Sequence, residues 1–347
     1  MSEPGQLADA EFTRSALSAA QTWLERDGKV ALATVVGTWG SAPVPVGGQM
    51  VIAQDGSFHG SVSGGCVEGE VIAEAEDVLA NGTSETLTFG VADETAWGVG
   101  LPCGGEIKVY IERVSADDDG RAMIDRAVTA QETRDGLVIA TNLTTGKKTL
   151  FRREDTGLDA DIVRRFSSGK SQVVETADGP VFYQAILPPA RTIVIGATHI
   201  AQLFAQMGHM AGYEVIVVDP RTAFASADRF PDVTLHAEWP QDVLPKLGLD
   251  PYTAVVVVAH VSHIDDEALK IALRSDCLYV GALGSRRNHA KRTERLKDAG
   301  FTDKEIGRIK CPIGLDIGAQ SPAEIAIAIM SEVVLAVRGP KQVAVAA

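Results

Sequence analysis

Apolar residues fall on a helical repeat near the start of the chain. Phe12, Leu17, Ala20 and Leu24 recur at close to helical intervals, which predicts a helix over 11–27 closed by Asp27-Gly28. The pattern then changes to short β-rich runs. VALATVV after Lys29 predicts a core strand over 29–36, residues 49–53 a second strand, and Asp55-Gly56 a hairpin turn. A helix is expected from Glu70 to Asn81, ended by Gly82, followed by strands over 86–89 and 106–113. Glycines and prolines in GTWGSAPVPVGG argue against regular structure over 37–48, and 90–105 reads as a second long loop. These two loops and the turn at 63–68 are expected to meet at one rim, because long loops in compact domains are often functional.

An acidic break, SADDDG, separates this part from a smaller layer. There the expected elements are a helix over 121–132, strands over 137–143 and 148–152, a helix over 158–168 and a strand over 181–187. Pro188-Pro189 marks a domain boundary, since two prolines stiffen the chain and donate nothing to a sheet. From Arg191 onward, continuous apolar strands (192–195, 214–218, 254–258, 278–281) alternate with helices. Strands buried on both faces with helices between them require a doubly wound parallel sheet. The expected fold is therefore α/β. An N-terminal α/β domain of short strands (1–188, with 114–188 a smaller second layer or subdomain) precedes a C-terminal Rossmann-like domain (189–347).

Composition narrows the function. The chain has 347 residues, 45% hydrophobic and 22% charged, so it is long enough for two cores and is not a disordered chain. A net charge of −14 argues against general nucleic-acid binding. The first twelve residues carry Glu3, Asp9 and Glu11 and no basic residue, unlike a secretory signal. No apolar run reaches spanning length; the longest, near Ala254–Ala259, reads as a buried strand. The expectation is a cytoplasmic protein without a membrane span. Its four cysteines, Cys66, Cys103, Cys277 and Cys311, are then free thiols, and none of their spacings is that of a zinc site. Cys277 reads as core and Cys311 as a loop residue before Pro312.

Two stretches pair a cysteine with glycines and an acid: Ser63-Gly64-Gly65-Cys66-Val67-Glu68 and Pro102-Cys103-Gly104-Gly105-Glu106. Glycines admit positive φ and close approach of a ligand to the main chain. The run 60–65 can expose N–H groups that hold an anion, and the helix that follows can gather more of them at its N-terminus. A tight turn around an inert cysteine is the structural alternative. In the second domain, Gly196, Thr198 and Ala201 stand where dinucleotide folds carry G-x-G-x-x-G, and Asp219 ends the next strand, where an acid holds a ribose hydroxyl. Thr198 replaces the glycine at which the backbone approaches a pyrophosphate, so a Rossmann-like domain without a dinucleotide is also open. Arg221, after Pro220, suits a phosphate contact or solvent. Ser285, Arg286 and Arg287 after a strand end make an anion pocket or a solvated turn. His260 and His263 lie past another strand end, where a metal is a minor alternative. Asp265 and Asp266 read as helix caps, and Ser321-Pro322-Ala323-Glu324 as a capping box with proline at the first helical position.

Together the stretches GSAPVPVGGQM (40–50), GSVSGGCVEGEV (60–71), LPCGGEIKVYIE (101–112), the Gly196 turn with Asp219, YVGALGSRRN (279–288) and CPIGLDIGAQSPAEIAIAI (311–329) resemble the XdhC/CoxI family. These are accessory proteins that mature molybdenum hydroxylases such as xanthine dehydrogenase and carbon monoxide dehydrogenase. The carriers span nearly the whole chain; 114–185 contributes least. The resemblance implies a carrier rather than an enzyme. It binds molybdenum cofactor, as molybdopterin or its cytosine dinucleotide form, protects it during sulfuration by a cysteine desulfurase, and inserts it into an apo molybdenum hydroxylase. Under that reading Gly64, Gly65, Cys66, Glu68, Cys103, Gly104, Gly105, Gly196, Thr198, Asp219, Ser285 and Arg286 contact the cofactor, with Cys66 and Cys103 as soft ligands of the metal. A nucleotide in the Rossmann-like domain is left open. The competing reading is an NAD(P)-dependent oxidoreductase, although no Tyr-x-x-x-Lys or comparable acid–base set is visible. The chain itself being the hydroxylase is disfavoured by its length and by the absence of iron–sulfur cysteine spacing. A homodimer is expected on general grounds.

Overall fold

A computed structural model describes residues 9–40, 42–90, 105–231 and 233–339. The described chain divides into two compact units, one ending at Pro188 and the other beginning at Pro189.

The first unit runs α1 (Asp9–Asp27), β1 (Lys29–Trp39), β2 (Gln49–Ile52), β3 (Phe58–Gly60), α2 (Glu68–Asn81), β4 (Glu85–Phe89), β5 (Glu106–Ser115), α3 (Asp119–Glu132), β6 (Leu137–Asn142), β7 (Lys148–Arg152), α4 (Ala160–Ser168), β8 (Gln172–Thr176) and β9 (Gly179–Ile186). Five strands form one antiparallel sheet in the order β3-β2-β1-β5-β4. Alternation splits its side chains between two cores. Ala31, Ala33, Met50, Ile107, Val109 and Ile111 pack against Val71, Ala75 and Val78 of α2. Val30, Leu32, Val51 and Val114 face α1, α3 and a second antiparallel sheet, β7-β6-β9-β8. That sheet's other face carries Val138, which packs with Ile162 and Phe166 of α4.

Strand β1 extends to Trp39, three residues into the stretch whose glycines argued against regular structure. A shift in register between Val35 and Gly37 absorbs the irregularity, and β5 continues to pair as far as Glu106. Strand β8 carries no strand signal of its own in the sequence. Its sequence QVVET is short and half polar, and only pairing with β9 makes it a strand.

The second unit runs β10 (Arg191–Ile195), α5 (His199–Met210), β11 (Glu214–Val218), β12 (Thr234–His236), α6 (Pro240–Leu247), β13 (Thr253–Val257), α7 (Ser262–Leu273), β14 (Tyr279–Ala282), α8 (Arg286–Asp298), α9 (Asp303–Ile306), β15 (Ile309–Lys310) and α10 (Pro322–Arg338). All six strands are parallel, in the order β12-β11-β10-β13-β14-β15. This is the doubly wound Rossmann arrangement, with the reversal of strand order between β10 and β13. One face is covered by α6, α7 and α8 through Leu244, Ile264, Leu269 and Leu296, the other by α5 and α10 through Phe204, Ala205, Ile329 and Val333. The edge strands β12 and β15 have three and two residues, too short to leave a hydrophobic run in the sequence.

Candidate functional site

The glycine-cysteine turn of the first unit is organised by one carboxylate. Helix α2 begins at Glu68, after Cys66, and its N-cap residue Val67 makes no side-chain cap. Instead the Glu68 side chain folds back into the turn. Its Oε1 accepts from the Ser61 hydroxyl at 2.5 Å, the Val62 N–H at 3.1 Å and the Ser63 N–H at 2.9 Å. Its Oε2 accepts from the Ser63 hydroxyl at 2.5 Å, the Gly65 N–H at 2.9 Å and the Val67 N–H at 3.2 Å. The Cys66 N–H donates to the Ser63 Oγ at 2.9 Å, and the Gly64 N–H to the Ser61 Oγ at 2.8 Å.

This corrects the expectation of an anion-cradling turn. Each N–H from Val62 to Val67 already has an acceptor inside the chain, and the anion in the cradle is Glu68, which is 8% exposed. Burial alone would raise its pKa. The hydroxyls of Ser61 and Ser63 and the converging N–H groups overcome burial and bring it from 4.5 down to about 2. Glu68 is therefore a positioning residue rather than a free ligand. Gly64 and Gly65, at φ 80° and 111°, let the loop turn over the carboxylate. Both are exposed, as is Cys66, whose thiol is thus offered to solvent by a backbone with no donor left to move.

The loop 42–48 is brought to the same place. A Cβ on Gly64 would lie 3.4 Å from the Pro43 ring, and Val44 shares a core with Val62 and Val67. The 42–48 part of the first long loop therefore meets the 63–68 turn, as the sequence predicts. Cys103 and Gly104, with the rest of 91–104, lie outside the described residues. Gly105 is buried immediately before β5.

In the second unit the residues read as a dinucleotide fingerprint have other employment. Gly196, at φ 107°, is required because a Cβ there would collide with the backbone of Ala259 at the end of the neighbouring strand. Thr198 caps α5, its Oγ1 accepting from the Ala201 N–H at 3.3 Å. Asp219 is completely buried. Its Oδ2 accepts from the Ala197 N–H at 2.7 Å and Arg221 Nη2 at 2.6 Å, its Oδ1 from Arg221 N–H and Nε, both at 2.9 Å. The expectation that Asp219 holds a ribose hydroxyl is corrected accordingly, since both oxygens are taken. Burial opposes its ionisation, but the Arg221 bonds hold its pKa below the usual range.

Ser285 caps α8, accepting from the Asn288 N–H at 3.3 Å, and Arg286 is exposed at the first helical position. Asp265 and Asp266 are not caps; α7 begins three residues earlier, at Ser262. They are buried against α8, where Arg292 lies 3.5 Å from Asp265 and Arg295 2.5 Å from Asp266. Arg292 also reaches within 3.7 Å of the Cys311 sulfur. Sequence spacing could not find this cluster, because nothing in either helix's own pattern says which helix faces it. The Ser321–Glu324 capping box and Pro322 at the start of α10 are present as expected. The thiol of Cys277 is buried against Ala272 and Arg308, and burial raises its pKa. His260 adopts φ 57°, and the His263 ring lies 5.8 Å from that of Trp239. Among the described residues no group of three or more His, Cys, Asp and Glu is placed to hold a metal, and no helix is long and apolar enough to cross a membrane.

Comparison with known proteins places both units. A family model described as the XdhC and CoxI family matches residues 23–90, and one described as the XdhC Rossmann domain matches residues 192–333. The chain is 29% identical over 326 residues to a protein of Bacillus subtilis named as a probable xanthine dehydrogenase subunit, covering 90% of this chain and 94% of that one. It is 26% identical over 306 residues to the molybdenum cofactor insertion chaperone PaoD of Escherichia coli, covering 87% and 81%. A crystal structure described as a xanthine dehydrogenase from Bacillus halodurans superposes with a TM-score of 0.65 at 25% identity, over 95% of this chain and 98% of that one.

Proposed function

The chain belongs to the XdhC and CoxI family, and from that premise we propose that it is a maturation protein that carries molybdenum cofactor to an apo molybdenum hydroxylase. The relative named as an insertion chaperone aligns over most of both chains, which supports a carrier role. The observation that carries the reading is the presentation of Cys66: an exposed thiol on a turn whose backbone is saturated by the buried Glu68 carboxylate. A carrier needs a soft donor at a fixed place and no group that commits the cargo to turnover. Cys66 is a soft donor suited to molybdenum, and Glu68 fixes its position.

The same geometry limits the role of this turn. No lysine or arginine occurs between Gly60 and Glu68, and the turn's N–H groups are occupied, so the cofactor's phosphate is not held there. Cys103 and Gly104 belong to the proposed site by sequence. Ser285 and Arg286, at the start of α8, are a candidate anion contact of the second unit by itself. The client is a hydroxylase of the xanthine dehydrogenase or carbon monoxide dehydrogenase type. A cysteine desulfurase completes the cofactor while the chain protects it, and the carrier is a homodimer. The oxidoreductase alternative is weakened by Asp219, which has no oxygen left for a ribose.

The test is maturation in a defined mixture. An apo-hydroxylase is incubated with released cofactor, with and without this chain, and its activity is followed. The wild-type chain is expected to raise the recovered activity, and Cys66→Ala to lose most of that gain while melting at the wild-type temperature. Equal recovery without the chain would refute the carrier role. Equal recovery with Cys66→Ala would refute the place given to Cys66.

A further inference from the structure

The segment between β11 and β12 carries two arginines and a phenylalanine that none of the roles above uses fully. Arg221 is clamped on two sides. Its Nε and Nη2 donate to Asp219, and its guanidinium lies 4.2 Å from the centre of the Phe224 ring. Its remaining nitrogen, Nη1, has no hydrogen-bond partner among the described residues, and the side chain is 30% exposed. Arg229 is anchored by neutral acceptors: the Ala197 carbonyl at 3.0 Å, the Phe224 carbonyl at 2.6 Å and Gln202 Oε1 at 3.1 Å. No carboxylate pairs with it among the described residues, although the chain's net charge is −14. Its guanidinium also lies 5.7 Å from the Phe224 ring centre. Phe224 itself is 42% exposed.

These groups sit at the carboxyl ends of β10 and β11, beside the Gly196–Thr198 turn, which Arg229 touches through Ala197. Open α/β sheets bind ligands at that edge. The ribose position of a dinucleotide fold is closed here, because Asp219 is spent on Arg221. What it leaves is a guanidinium held rigid with one edge open, and a second guanidinium that no carboxylate pairs with among the described residues. A planar, preorganised guanidinium suits a phosphate better than a hydroxyl.

We propose that Arg221 and Arg229, held about Phe224, form a phosphate-reading site for a phosphomonoester carried on a nucleotide or on a pterin. Arg229 supplies the charge, Arg221 the free donor edge, and Phe224 keeps Arg221 flat. The pterin source rests on the carrier reading above; the nucleotide source does not.

The test uses the full chain and isothermal titration with four probes: NADP+ against NAD+, and 5′-CMP against cytidine. Each pair differs by one phosphomonoester. The phosphorylated member is expected to bind at least about ten-fold more tightly, close to 1.4 kcal/mol. Phe224→Leu and Arg221→Lys should each erase most of that preference. The lysine keeps a cation beside Asp219, and Phe224 is exposed, so both variants should fold; their melting curves verify it. Released molybdopterin is then added as competitor: displacement of the bound probe assigns the pterin source, and none assigns the nucleotide. No binding by any probe, equal binding within each pair, or an undiminished preference in both variants would overturn the site. If cofactor retention through Cys66 persisted in that case, the carrier reading would stand without it.

Discussion

Replacing Glu68 by glutamine keeps the shape of the side chain and removes the anion at the centre of the turn. Three donors point at each carboxylate oxygen, and in glutamine one of those oxygens becomes an NH2 group that faces donors. The charge contribution follows from the pKa, which falls from 4.5 to about 2 on folding. At 1.36 kcal/mol per unit, ionised Glu68 stabilises the fold by about 3 kcal/mol at neutral pH. Because the folded pKa is the lower one, that stability is fully present above pH 4.5 and is lost as pH falls through about 2. Glu68→Gln should therefore lower the stability of the first unit by about 3 kcal/mol at pH 7, and the gap should close as the wild type is acidified. The assay is urea unfolding followed by tryptophan fluorescence in a Trp239→Phe background, where the remaining Trp23, Trp39 and Trp97 all belong to the first unit. A difference below about 0.5 kcal/mol at pH 7, or one independent of pH between 4.5 and 2, would refute the assignment of Glu68 as the turn's internal anion.

Three further outcomes are expected. Burial, only partly offset by Arg292, raises the Asp265 carboxyl from 3.8 to about 6; here the folded pKa is the higher, so stability falls as pH rises from about 4 to 6, and Asp265→Asn should flatten that limb in a pH series of melting temperatures. Gly196→Ala places a Cβ against the Ala259 backbone at a positive φ and should cost the second unit about 3 kcal/mol or more, read as a shift in its urea midpoint. Ser321→Ala removes the hydroxyl that accepts from the Glu324 N–H and should cost about 1 kcal/mol by the same measurement.

What the sequence disclosed and what it hid divide along physical lines. The strands of the second unit were legible because burial on both faces leaves unbroken runs such as TAVVV, and the α10 cap because a capping box is local. Strands β8, β12 and β15 were not, since pairing rather than composition makes them strands. The glycines beside Cys66 correctly marked a sharp turn. From sequence its donors read as free for a ligand, because spacing cannot show that an acid two residues beyond the cysteine folds back to take them. Asp219 has the same history: its place at the end of β11 follows from the pattern, but its pairing with Arg221 comes only from the three-dimensional turn. Asp265 and Asp266 read as caps from sequence because they stand near a helix start, and only the packing of α7 against α8 makes them partners of arginine.

Whether the chain holds the cofactor at all is the most direct question. Protein and released molybdenum cofactor are mixed anaerobically, passed through a sizing column, and the protein peak is assayed for molybdenum and pterin. Near-stoichiometric retention by the wild type, with a marked loss in Cys66→Ala, is the predicted result. A protein peak free of molybdenum and pterin would contradict the account.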